Sequence, residues 1–203
     1  MLKKATLILK FAENLFEQYG YKKVSIDEIV KNAGIAKGTF YLYFKNKNEL
    51  YEAILRKYES EAKACMQYLA KQEKDIKKRL YRNYMGSLLF CSKKKILKEI
   101  ILENTNYYSE TVDKKSFMAS VFSLIKVLLD KDVNQLRSDI TLDEIGDIHT
   151  FYLMILRYSD CNEEYFWNLS DKLAKCIIDG MLAKEKWGIT KEIIFENFKN
   201  SLS

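Results

Sequence analysis

Val24-Ser25-Ile26-Asp27-Glu28-Ile29-Val30-Lys31-Asn32-Ala33-Gly34-Ile35-Ala36-Lys37-Gly38-Thr39-Phe40-Tyr41-Leu42-Tyr43-Phe44 decides the fold. Ser25 and Glu28 stand three apart, the spacing at which each side chain satisfies one orphan backbone N–H at a helix start. Ile26, Ile29, Val30 and Ala33 then supply one apolar face, and Gly34 ends the helix. Ile35 and Ala36 form a tight turn, and a second helix is expected from Lys37 to about Phe44. Two short helices about a glycine-containing turn are the pattern of a helix-turn-helix, whose second helix lies in the DNA major groove. Ile35 and Phe40 face inward in that arrangement, leaving Lys37, Thr39, Tyr41, Leu42 and Tyr43 outward.

Upstream, Leu7, Ile8, Phe11, Ala12, Leu15, Phe16 and Tyr19 make a broad apolar stripe that stops at Gly20. Downstream, Asn46 and Glu49 repeat the capping arrangement and open a long helix from Lys47 to about Gln72. Further helices are expected at about 74–91, 93–105, 114–136, 142–158, 163–186 and 191–200, with stops at Trp187-Gly188 and a cap at Thr190. The 203 residues contain no proline and only 7 glycines, which disfavours sandwiches and barrels. The expectation is an all-α protein, with a helix-turn-helix domain over 1–46 and a larger helical domain over 47–203.

The net charge of +6 is unevenly placed. Residues 1–60 carry 11 Lys/Arg against 7 Asp/Glu, so most of the surplus sits in the first module. The longest apolar run, Phe151 to Leu156, is far short of the roughly 20 residues of a membrane span, and the amino terminus lacks a signal-peptide pattern. A cytoplasmic protein with no membrane partner is expected. Cys65, Cys91, Cys161 and Cys176 form no C-x-x-C and read as buried free thiols among helical apolar positions. The single histidine, His149, has no Ser/Asp or Cys partner at a catalytic spacing, so neither an enzyme nor a metal or other cofactor is expected.

The run from Val24 to Phe44, with Lys47 and Leu50, resembles the amino-terminal signature of the TetR family of transcriptional regulators. Leu42 stands where that family often has a polar residue. The resemblance implies a DNA-binding regulator, a repressor, that reads a palindromic double-stranded operator as a homodimer. It implies base reading by Thr39 and Lys37, close backbone approach at Gly38, and phosphate contacts from Ser25, Tyr41, Tyr43 and Lys47. Lys37 and the amides of Gly38 and Thr39 fall at a helix amino end, where phosphate or a base acceptor is favoured. An all-α interaction protein without a DNA role, or a constitutive DNA binder controlled by a protein partner, are the competing readings.

Two seams step by three and four residues, Leu142, Ile145, His149, Tyr152, Leu156 and Phe166, Leu169, Leu173, Cys176, Gly180. They predict two helices of a four-helix dimer interface, which the family builds from its last two long helices. The family's small-molecule pocket corresponds to the middle helices. Tyr84, Glu103, Tyr107, Tyr108, Met118, Phe122 and Tyr152 are the candidates for lining it, around a small hydrophobic effector, with Glu99 or Glu103 as counterion if that effector is cationic.

Overall fold

The computed structural model describes residues 2–102, 123, 125–129, 131–160 and 162–182. Every regular element among them is helical. In chain order they are α1 (Leu2–Tyr19), α2 (Ile26–Ala33), α3 (Lys37–Tyr41), α4 (Lys47–Gln72), α5 (Ile76–Ser92), α6 (Lys95–Leu102), α7 (Leu142–Leu153) and α8 (Glu163–Leu182). The helix expected at 191–200 and the stops near Trp187 lie outside the described residues.

Local chemistry sets the ends of the first elements. Ser25 caps α2 with the full reciprocal box: Glu28 N donates to Ser25 Oγ at 3.2 Å and Ser25 N donates to Glu28 Oε2 at 2.7 Å. Gly34 follows α2 at φ +64°, the left-handed region in which a Cβ is strained. Asn46 Oδ1 accepts from Glu49 N at 2.8 Å and starts α4.

Three expectations change. α3 is one turn, ending at Tyr41 rather than near Phe44. The helix expected to reach 136 has given way to a turn by Lys131, and a short 3-10 turn, Val133–Gln135, follows. There Asp132 pairs with the buried Arg79 of α5, and Asp132 N donates to Leu129 O, so the chain turns inward toward a charge that must be compensated. Finally, α7 tightens after Leu153 into a 3-10 stretch, Met154–Tyr158, which leaves Leu156 buried but Phe151 70% and Met154 42% exposed.

α1, α2 and α3 pack around Phe16, Tyr21, Ile29, Val30, Phe40 and Phe44, all buried. The first turns of α4 close that core, because the Tyr51 ring lies 4.6 Å from Tyr21 and 5.8 Å from Phe16. α4 is therefore shared: it completes the first domain and then runs on alongside α5. In the second domain α5 is central, packed against α4, α6, α7 and α8. Its inward residues Leu80, Tyr84 and Leu88 are fully buried.

Candidate nucleic-acid interface and ligand cavity

Phe40 fixes the recognition segment. Its ring is fully buried, 5.9 Å from Phe44 and 5.3 Å from Tyr41, so the neighbouring residues of α3 are turned outward. Lys37, Gly38, Tyr41 and Leu42 are exposed, Leu42 at 76%, while Thr39 and Tyr43 are half-buried. Ser25 is exposed at the start of α2, although its hydroxyl donates to Glu28 Oε2 at 2.8 Å. The amide of Thr39 donates to Ala36 O at 2.9 Å, so it is not the free donor expected at the start of α3.

Lys37 Nζ lies 2.8 Å from Asp27 Oδ1, with both side chains more than half exposed. That hydrogen bond, and then the carboxylate charge, hold the ammonium above its ordinary pKa. An exposed pair of this kind contributes little to stability and exchanges readily for another anion.

Lys47 does something the sequence did not signal. Its Nζ donates to Tyr21 O and Val24 O, both at 2.9 Å, and sits 4.3 Å from the centre of the Tyr21 ring. Burial draws its pKa down, with Glu28 opposing. Two of its three donors thus tie the segment between α1 and α2 to α4, which corrects the expectation of a lysine directed only at phosphate. Lys47→Met should cost about 1–3 kcal/mol of folding stability, the range for charge-assisted hydrogen bonds, read from a denaturant melt. A change below about 0.5 kcal/mol, ordinary for a surface substitution, would show that the clamp contributes nothing.

With this geometry in place, the comparison is direct: residues 8–54 match the bacterial regulatory proteins of the tetR family. The match covers most of α1, all of α2 and α3 and the start of α4. It is 30% identical over 122 residues to the HTH-type transcriptional regulator YhgD of Bacillus subtilis, covering 59% of this chain and 64% of that one. The chain thus spans just under two thirds of YhgD. Two solved structures share this fold across most of the chain. The transcriptional regulator FadR of Bacillus subtilis, in complex with stearoyl-CoA, superposes with TM-score 0.69 at 15% identity over 87% of this chain and 98% of that chain. SmeT in complex with triclosan superposes at 0.67 and 19% identity over 94% and 97%.

Beyond the first domain lies a cavity of about 470 Å³. Tyr58, Ala62, Cys65, Met66 and Leu69 of α4 form one wall, and Asn83, Gly86, Ser87, Phe90 and Cys91 of α5 another. α6 and α7 close the back with Leu97, Ile101, His149, Thr150 and Leu153. Tyr84 and Tyr152, expected to line this space, instead pack on each other at 5.0 Å in the core between α5, α7 and α8. Tyr152 Oη donates to Ser170 O at 3.3 Å. Glu99 is likewise absent from the cavity wall and lies beside Gly20, at the end of α1. Glu103, Tyr107, Tyr108, Met118 and Phe122 lie outside the described residues.

The cavity wall is wired to the DNA-binding domain. Tyr58 Oη donates to Glu17 Oε1 of α1 at 2.9 Å, and Lys94 Nζ, at the cavity mouth, lies 3.5 Å from Glu13 Oε1. Glu13 also holds Lys57 at 2.6 Å, and Glu17 Oε2 accepts from Lys95 N, the first amide of α6, at 2.5 Å. Burial raises the Glu13 pKa, but its bonds to Lys57 and Tyr58 prevail and leave it lowered.

The two expected dimer seams prove to be mixed. Ile145, His149, Tyr152, Leu156 and Phe166 are buried within the single chain, and Leu142 and Gly180 are half-buried. Leu169, Leu173 and Cys176 are exposed. α8 turns Phe166, Ser170, Ala174, Ile178 and Met181 inward, because the small Ser170 and Ala174 let it approach α5 closely. A second copy therefore has no access to the buried members of either seam. Among the described residues, no helix is long and apolar enough to cross a membrane and no group of side chains suits a metal ion.

Proposed function

We propose that this protein is an effector-responsive repressor of the TetR family that binds a two-fold-symmetric operator as a homodimer. The observation that carries the DNA-binding part is the outward face of α3, with Lys37, Gly38, Tyr41 and Leu42 exposed over a Phe40 anchor. A Cβ on Gly38 meets nothing within 4 Å in the chain itself, so Gly38→Ala is expected to leave the melting temperature unchanged while weakening DNA binding. In this reading Thr39 and Leu42 offer methyl groups to a base edge, and Tyr41, Tyr43 and Ser25 are assigned to phosphate.

Fluorescence anisotropy with the DNA upstream of the protein's own coding sequence, against a scrambled duplex, tests this. Thr39→Ala should cost about 1–3 kcal/mol on the operator and little on scrambled DNA. Lys37→Ala should weaken both and lower the salt slope by about one per half-site if it meets phosphate, or weaken only the operator if it meets guanine. Equal loss by Thr39→Ala on both duplexes would remove its base-reading role.

The homodimer rests on Phe151, Met154, Tyr158, Tyr165, Leu169 and Leu173, exposed apolar residues along α8, α7 and the 3-10 stretch after it. Leu173→Glu, at a position 37% exposed in the single chain, should shift the protein to monomer in sedimentation velocity without unfolding it. An unchanged dimer would place the interface elsewhere.

The effector part rests on the cavity and its ties to Glu13 and Glu17. Stearoyl-CoA on FadR and triclosan on SmeT give precedent for small molecules on this fold. An occupant that displaces Tyr58 or Lys94 loosens α1 and changes the separation of the two recognition segments. A small displacement suffices, because half-sites lie a fixed helical turn apart, roughly 34 Å, or a multiple of it.

A further inference from the structure

Among the cavity-lining residues, three polar atoms are buried with no partner: Asn83 Oδ1, Asn83 Nδ2 and His149 Nδ1. Both residues line the cavity, and their relative exposures are 1% and 3%. An unmet buried polar group is costly, so a ligand that meets it gains what water would otherwise have supplied.

Ser87 Oγ lies 3.0 Å from both Tyr84 O and His149 Nε2 and has a single hydrogen to give. With that hydrogen on Tyr84 O, Nε2 donates to Ser87 and Nδ1 is left an acceptor; with it on Nε2, Nδ1 carries the imidazole proton and is left a donor. In both tautomers Asn83 leaves an unmet acceptor, Oδ1, and an unmet donor, its amide N–H. Among the described lining residues, Arg82 adjoins Asn83 on α5 and pairs with Glu73 at 3.1 Å, Glu59 and Glu61 lie on α4, and Lys93 and Lys94 follow the end of α5.

Building on the effector reading above, we propose that the cavity takes an uncharged amphiphile whose head both donates and accepts hydrogen bonds, such as a primary amide or a hydroxyl, read by Asn83 and His149. The lining of α4 runs from Tyr58 to Leu69, three turns or roughly 16 Å, which suits an extended apolar body. A carboxylate has no hydrogen for Asn83 Oδ1, and a quaternary ammonium has no N–H at all.

The test titrates the full-length protein with four probes of one chain length, decanamide, 1-decanol, decanoate and decyltrimethylammonium, by calorimetry at pH 7. Decanamide and decanol should bind at least about tenfold more tightly than the other two. In Asn83→Leu, which removes an unpaired polar group and is expected to fold at least as stably as the wild type, decanamide should lose most of that advantage. If all four bind the wild type alike, or Asn83→Leu keeps the wild-type preference, the head assignment is overturned while the cavity remains an effector site. If none binds, the effector reading falls with it. The wild-type ratios decide the question even if the variant does not fold.

Discussion

Phe40→Ala should lower folding stability by about 3–5 kcal/mol and abolish operator binding. Phe40 is fully buried where α3 meets α2, with Phe44 at 5.9 Å as its aromatic neighbour. α3 has a single turn and no side-chain cap at its start, so nothing of its own holds it helical. Truncation to alanine removes the anchor and leaves a cavity. For a chain of this size each kcal/mol shifts the melting temperature by roughly 2–4 °C, so a drop of roughly 6–20 °C is expected by circular dichroism. A loss below about 1 kcal/mol would mean that the site collapses around the deletion and that α3 is positioned by other contacts.

Acidification from pH 6.5 to pH 4 should remove about 3 kcal/mol of stability through His149 alone. Burial lowers its pKa from 6.5 to about 4, so the folded protein holds the imidazole neutral through a range in which the unfolded chain binds a proton. Stability is therefore full above pH 6.5 and falls progressively toward pH 4, where the folded state begins to protonate as well. The groups around the ring do not rescue its charge: Tyr84 packs edge-on at 4.7 Å, Tyr152 lies at 6.4 Å, and Nε2 has only the neutral Ser87 hydroxyl at 3.0 Å. Burial keeps both phenols protonated across the range. As the chain contains one histidine, the window is free of others, and the carboxylates with lowered pKa, such as Glu13, Glu28 and Asp171, act at its acid end. Denaturant melts at half-unit pH steps read the slope, and His149→Phe should flatten it. A wild-type slope that survives in His149→Phe would assign the effect elsewhere.

Both expected results start from residues visible in the sequence, but only one role was legible there. Phe40 was placed inside from its position in the helix-turn-helix. His149 was placed on a dimer seam, whereas it is buried inside the chain between Ser87 and Tyr84. The stepping by three and four is real, yet it identifies an apolar stripe without saying what covers it. On α8 the side facing α5 includes Ser170 and Ala174, residues too small or too polar to register as apolar positions. Asn83 carried a faint signal: it shares the face of Leu80, Tyr84 and Ser87, an amide at a position where the helix otherwise buries itself.

The sequence alone determined what depends on neighbours along the chain. The Ser25–Glu28 box, the Gly34 turn, the Asn46 cap and the spacing of the first four helices each involve atoms within four residues of one another, so their energetics are written locally. Tertiary structure decided everything that requires two distant segments to meet. Lys47 became a clamp because the carbonyls of Tyr21 and Val24 arrive beside it. Glu13 and Glu17 became a link to the cavity because α4 and α6 pack on α1. The free side of α8 was set by which of its faces α5 had already buried, since a helix with apolar residues on more than one side can satisfy only one of them inside its own chain.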